Sequence, residues 1–124
     1  MNLWGQAGLI FCGAGCGGLA RWTLALTIDS RWAASCAGLP IGTMAVNILG
    51  STAIGLVAGL LSPQHPLYSL LVLGLLGGFT TFSSFSLQSV NLFTAGRSGA
   101  ALLVIGLSLI CCLAGTWAGM LLVR

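Results

Sequence analysis

The chain has 124 residues, of which 57% are hydrophobic and 4% charged, with no lysine and no glutamate. A soluble domain carries about a quarter charged residues, so this chain has too little polar surface for water and reads as one multi-pass membrane domain over residues 1–124. Its formal net charge of +3 rests on Arg21, Arg31, Arg97 and Arg124 against Asp29, and four scattered arginines make no basic face for nucleic acid.

A spanning helix needs about 20 mostly apolar residues, and four stretches meet that requirement: about 3–26, 38–61, 67–92 and 99–123. The first lacks the basic flank of a cleavable signal peptide and is expected to be retained. Its Cys12 and Cys16 share a helix face with no His, Asp or Glu nearby to complete a metal shell. All five cysteines therefore read as small apolar filler. Arg21 sits toward the end of this span. Either its long side chain snorkels to the interface, the preferred reading, or it tethers a water-filled vestibule and raises the local anion concentration.

The connection over residues 27–36 contains Asp29, Ser30 and Arg31 and is expected to lie in water. The second span carries Asn47 in GTMAVNILG. A polar group at that depth is costly and by default a functional candidate. Its amide either donates to an anion or bonds a neighbouring helix. Pro63 and Pro66 end the second span and start the third, while Gly96 and Arg97 mark the last connection. The first and third connections share one side, with Arg31, Arg97 and the nearby Arg21. Arg124 falls on the other. Two or three arginines against one is a weak orientation bias, so insertion in both directions and an antiparallel dimer are expected.

Nineteen glycines recur as small-residue pairs four apart: Gly13 with Gly17, Gly38 with Gly42, Gly55 with Gly59, Gly74 with Gly78, and Gly115 with Gly119. Such pairs let membrane helices approach closely, and packing within the chain is expected to use most of them. A homo-oligomer is also expected, because four helices rarely enclose a pore.

The third span holds the most informative stretch, GLLGGFTTFSSFSLQSV from Gly74 to Val90. It begins as an apolar helix, breaks into glycines and hydroxyls, and resumes as a helix with Phe82 and Phe85 on one face. Irregular backbone survives in hydrocarbon only where it is buried in protein or lines a polar path, and an ion path is the reading preferred here. Thr80, Thr81, Ser83, Ser84 and Ser86 offer hydroxyls, although one membrane serine alone usually bonds its own i−4 carbonyl. Thr80, Ser83 and Ser86 would form a ladder of donors if the helix continued. Phenylalanines in a span normally face lipid or core, yet a ring edge is positive and can face a small anion. The break itself frees carbonyls for a cation and a helix N-terminus for an anion. With no carboxylate inside the membrane there is no proton relay, and no nucleophile–base constellation exists. The chain reads as a passive channel and not as an enzyme.

GCGGLARW (15–22), GTMAVNILGSTAIG (42–55) and GGFTTFSSF (77–85) resemble the three signatures of the Fluc/CrcB fluoride channels, in order, spacing and total length. The resemblance implies an all-α, four-helix, fluoride-selective channel of the bacterial inner membrane, built as an antiparallel, dual-topology homodimer with two pores and surrounded by lipid. It also implies a structural sodium ion at the dimer centre, held by main-chain carbonyls of Gly77 and Thr80 from both subunits. By the same resemblance, Asn47, Phe82 and Phe85 face the ion, Ser83 and Ser84 are hydroxyl positions beside the rings, Thr81 belongs to the same motif, and Arg21 is the arginine of the first signature. Two positions depart from it: Gln88, where many members carry glutamate, and Val104, aligned with a pore-facing tyrosine of some members. The alternatives are a small four-helix multidrug-type exporter, which depends on a membrane glutamate absent here, and a non-transporting membrane subunit.

Overall fold

Four helical spans long and apolar enough to cross a membrane make up the computed structural model, which describes residues 2–32 and 34–123. Helix α1 (Leu3–Trp32) is followed by α2 (Ile41–Leu60). The third span is composite: α3 (Pro66–Tyr68), a π-helical stretch (Ser69–Leu76), α4 (Gly77–Phe79), a break, and α5 (Phe82–Thr94). Helix α6 (Ser98–Leu121) completes the fold. The chain is thus all-helical, with four spans of which the third is interrupted. Arg124, assigned by sequence to the side opposite the other arginines, lies outside the described residues.

Helix α1 does not stop near residue 26. It runs for 30 residues, about 45 Å at 1.5 Å per residue, and residues 27–32 are helix instead of a loop. The helix itself satisfies their polar groups: the Thr27 hydroxyl donates to the Thr23 carbonyl at 2.8 Å, and that of Ser30 to the Thr27 carbonyl at 3.0 Å. Asp29 then reaches across to accept the Gly42 N–H at 2.7 Å. Pro40, at the start of α2, makes no side-chain cap, so an acid on α1 supplies the negative charge that a helix N-terminus favours. At the same end the Arg97 guanidinium donates to the Ala37 carbonyl at 2.7 Å, joining the first and last connections.

The glycines explain how the spans touch. A Cβ on Gly13 or Gly17 would collide with the carbonyls of Leu70 and Leu75, and one on Gly78 would meet Ala14. Helix α1 and the first half of the third span are therefore in backbone contact. Gly55 lies against Thr116 and Gly119 against Thr52, so α2 and α6 close in the same way. Lipid tails are as apolar as leucine, which leaves close packing to hold such helices together. The Gly38–Gly42 pair is different: Gly38 sits in the connection with φ of +68°, and only Gly42 packs, against Ala25. Phe85, Leu92, Ala101 and Val104 form the apolar cluster that seats α5 on α6.

Gly17→Ala is expected to destabilise the protein by roughly 1–3 kcal/mol, the usual range for overpacking a tight interior. Gly15, beside which nothing lies within 4 Å, is the control. Unfolding curves in detergent should show Gly15→Ala close to the parent and Gly17→Ala shifted to lower stability.

Candidate functional site

The third span stops being helical at two residues. Thr80 (φ −86°, ψ 156°) and Thr81 (φ −149°, ψ 118°) are extended. In an uninterrupted helix the Thr81 N–H would bond the Gly77 carbonyl. It donates instead to Asn47 Oδ1 at 2.7 Å, while Asn47 Nδ2 donates to the Thr81 carbonyl at 2.9 Å. One side-chain amide from α2 thus pairs with both main-chain polar groups of Thr81. The Ser84 N–H, which would have served the Thr80 carbonyl, goes to Thr81 Oγ1 at 3.1 Å, the N-cap bond of α5. Both diversions leave the carbonyls of Gly77 and Thr80 without their helical donors. The Gly78 carbonyl is taken by Arg21 Nε at 3.2 Å.

This last bond corrects the preferred reading of Arg21. Its side chain does not run to the interface; it reaches the break from a helix that continues for another eleven residues to Trp32. A positive charge is thereby held at the level where the helix opens.

Beside the break lies a cavity of about 210 Å³ lined by Asn47, Ser51, Thr80, Thr81, Phe82, Phe85, Ser108, Leu109 and Cys112. The rings of Phe82 and Phe85 stand 5.4 Å apart, tilted by 48°. Phe85 is buried on α6, whereas Phe82 is 74% exposed on the outer face of the chain. Among the candidate residues, Asn47, Thr80, Thr81, Phe82 and Phe85 therefore share one cavity. Arg21, Gly77, Ser83 and Ser84 do not line it.

The hydroxyls do not form the expected ladder. Thr80 Oγ1 donates to the Leu76 carbonyl at 3.1 Å and Ser86 Oγ to the Phe82 carbonyl at 2.8 Å, each to the carbonyl four residues before it. Thr81 Oγ1 is the hub instead, lying 3.1 Å from both Ser83 Oγ and Ser84 Oγ. The residue that sequence reading missed is Ser108. It is 95% buried, at 5% exposure, and its Oγ has no hydrogen-bond partner among the described residues. A single serine in the middle of an otherwise apolar span was the available signal. Ser51 was legible too, one turn after Asn47 on the same face.

A second cavity, about 470 Å³, opens at the end where α1 meets α2, lined by Asp29, Gln88, Asn91 and Arg97 among others. Gln88 Oε1 is buried without a partner among the described residues, and Val104 is core, 1% exposed. No group of three or more His, Cys, Asp or Glu that could hold a metal ion forms among the described residues. The freed carbonyls of Gly77 and Thr80 are the donor type that a hard cation takes, so the residues fit the sodium ion implied by the resemblance.

The family model described as "CrcB-like protein, Camphor Resistance (CrcB)" matches residues 8–120. A "Fluoride-specific ion channel FluC" of Coxiella burnetii (strain Dugway 5J108-111) is 42% identical over 121 residues, covering 94% of this chain and 95% of the relative. The protein of that name from Agrobacterium fabrum is 41% identical over 122 residues, covering 94% of each. That of Cereibacter sphaeroides (strain ATCC 17029 / ATH 2.4.9) is 46% identical over 86 residues, covering 68% and 69%.

Asn47→Leu keeps the bulk of the side chain and removes both bonds to Thr81. Each part-buried group left unpaired costs about 1–3 kcal/mol, so the variant should be markedly less stable. Amide exchange at Thr81 and Ser84 should quicken while the middle of α2 stays protected.

Proposed function

We propose a fluoride channel on one premise: this chain belongs to the CrcB-like family. It is a multi-pass bacterial membrane protein, and its relatives are named as fluoride-specific channels. The observation that carries the reading to residues is the cavity beside the break, lined together by Asn47, Ser108 and the rings of Phe82 and Phe85.

Fluoride is small and strongly hydrated, and a path through the membrane must replace its water with donors. Asn47 has two N–H groups on its amide; one is committed to Thr81, and the other is available to an anion. The unpartnered Ser108 hydroxyl is a second donor. The edges of Phe82 and Phe85 present their positive rims, and the N-terminus of α5 adds its partial positive charge. Ser83 and Ser84 act indirectly, by holding Thr81 Oγ1. Arg21, fixed to the Gly78 carbonyl, adds a positive field without standing in the cavity. No carboxylate lies along this path, so transport is passive and driven by the fluoride gradient.

In this reading the channel works as an antiparallel, dual-topology homodimer in the inner membrane, with two pores. The exposure of Phe82 supports a partner on that face. A sodium ion at the dimer centre would rest on the Gly77 and Thr80 carbonyls of each subunit. When bound, it supplies positive charge that offsets the repulsion between converging carbonyl dipoles.

The test is ion efflux from liposomes carrying the purified protein under an electrical shunt. Rapid fluoride release with chloride retained is expected, and equal silence toward both ions in a folded protein would overturn the reading. Phe82→Ile, which keeps apolar bulk and loses the ring edge, should abolish fluoride release while leaving the assembly intact by size exclusion. Ser108→Ala should slow release by about tenfold, the kinetic equivalent of about 1.4 kcal/mol, at the upper end of the range of about 0.5–1.5 kcal/mol for one typical hydrogen bond.

A further inference from the structure

Cys112 lines the same cavity as Asn47 and Phe82, one helical turn after Ser108 on α6. We propose that Cys112 makes this cavity a binding site for soft, thiophilic metal ions, through which the channel is shut. The inference rests on the channel reading above for its effect on flux, and on the residues alone for the binding.

Two observations carry it together. Cys112 lines a cavity of about 210 Å³, and Ser108, 95% buried at 5% exposure and with its Oγ unpartnered among the described residues, lines the same cavity. Sulfur is the donor a soft cation selects, and the unpartnered Ser108 hydroxyl one turn away leaves that stretch of the wall polar. Cys111, the neighbouring residue, does not line the cavity, because consecutive positions on a helix point about 100° apart.

The chemistry of the surroundings selects a metal over an oxidant or alkylating agent. A reactive cysteine is a thiolate, made so by an adjacent cation or helix N-terminus. None of the residues lining this cavity is basic, and Arg21 is committed to Gly78. A soft metal needs no preformed thiolate, since the strength of its bond to sulfur displaces the proton. With mercuric chloride the S–H bond breaks and an S–Hg bond forms; the proton and one chloride leave to water, the second chloride stays on mercury, and no electron is transferred. Fluoride, a hard anion, does not compete for the metal, which therefore stays and fills the space.

The experiment treats liposomes containing the full chain with mercuric chloride. Each variant's fluoride efflux is compared with its own rate before treatment, and bound mercury is located by mass spectrometry of the digested protein. The parent is expected to fall to the rate of protein-free vesicles and to recover with dithiothreitol. A variant with Cys12, Cys16, Cys36 and Cys111 all replaced by alanine should behave the same, and Cys112→Ser should keep its own rate. Equal inhibition of Cys112→Ser, or mercury mapped to every cysteine except Cys112, would overturn the proposal. Mercury on Cys112 in a folded protein that moves no fluoride at all would uphold the site and sink the channel reading instead.

Discussion

A peptide group in hydrocarbon has no water to bond, and this fold is arranged around the place where the third span leaves its own ladder. Each loose end is taken up by a different part of the chain. Asn47 of α2 holds both main-chain polar groups of Thr81, Arg21 of α1 takes the Gly78 carbonyl, and Thr81 Oγ1 caps α5 through Ser84. Three separate spans thus converge on a few residues. An unsatisfied buried group costs about 1–3 kcal/mol, so loss of any one of these ties matters against the marginal stability of a small protein.

Close packing and polar chemistry are carried by the same helix faces. On α1, Gly13, Gly17 and Arg21 follow one another at spacing of four: the glycines bring the backbone onto the third span, and the next position on that stripe delivers the guanidinium to the break. On α2 the stripe is Asn47, Ser51 and Gly55, in which the amide meets Thr81, Ser51 lines the cavity and Gly55 packs against Thr116. On α6 it is Ser108, Cys112 and Thr116, ending where the Thr116 hydroxyl donates to the Ser51 carbonyl at 3.0 Å. A glycine contact one or two turns away thus sets how far each polar side chain must reach.

The four spans, the break at Thr80 and Thr81 and the exceptional character of Asn47 were all legible, because each is a local departure from apolar periodicity. What was hidden depended on partners far along the chain. Polarity at Thr27 to Arg31 suggested an ended helix, but Asp29 finds its partner at Gly42, and the helix continues to Trp32. Five hydroxyls could be counted near the break, yet which of them bond their own backbone is decided by rotamer and neighbours. Thr80 and Ser86 turn back to i−4 carbonyls, whereas Thr81 does not. Ser89 and Thr52 do the same on their helices, while Ser108 stays unpartnered. The one-dimensional pattern marks these hydroxyls as polar but does not say which of them turn back to their own backbone.

The absence of charge from the wall of the cavity follows from what an anion path must do. A guanidinium about 4 Å from the ion would hold it by roughly 4 kcal/mol at an effective dielectric constant of about 20. Escape would then slow by nearly three decades, at about 1.4 kcal/mol per decade. Neutral donors such as the Asn47 amide and the Ser108 hydroxyl bind more weakly each, about 1 kcal/mol net, and can be exchanged stepwise. Conduction needs binding strong enough for entry and weak enough for exit. On the proposed path the cation belongs behind the wall, where Arg21 sits: bonded to a carbonyl, it lowers the energy of an anion over a distance without becoming the place where the anion stops.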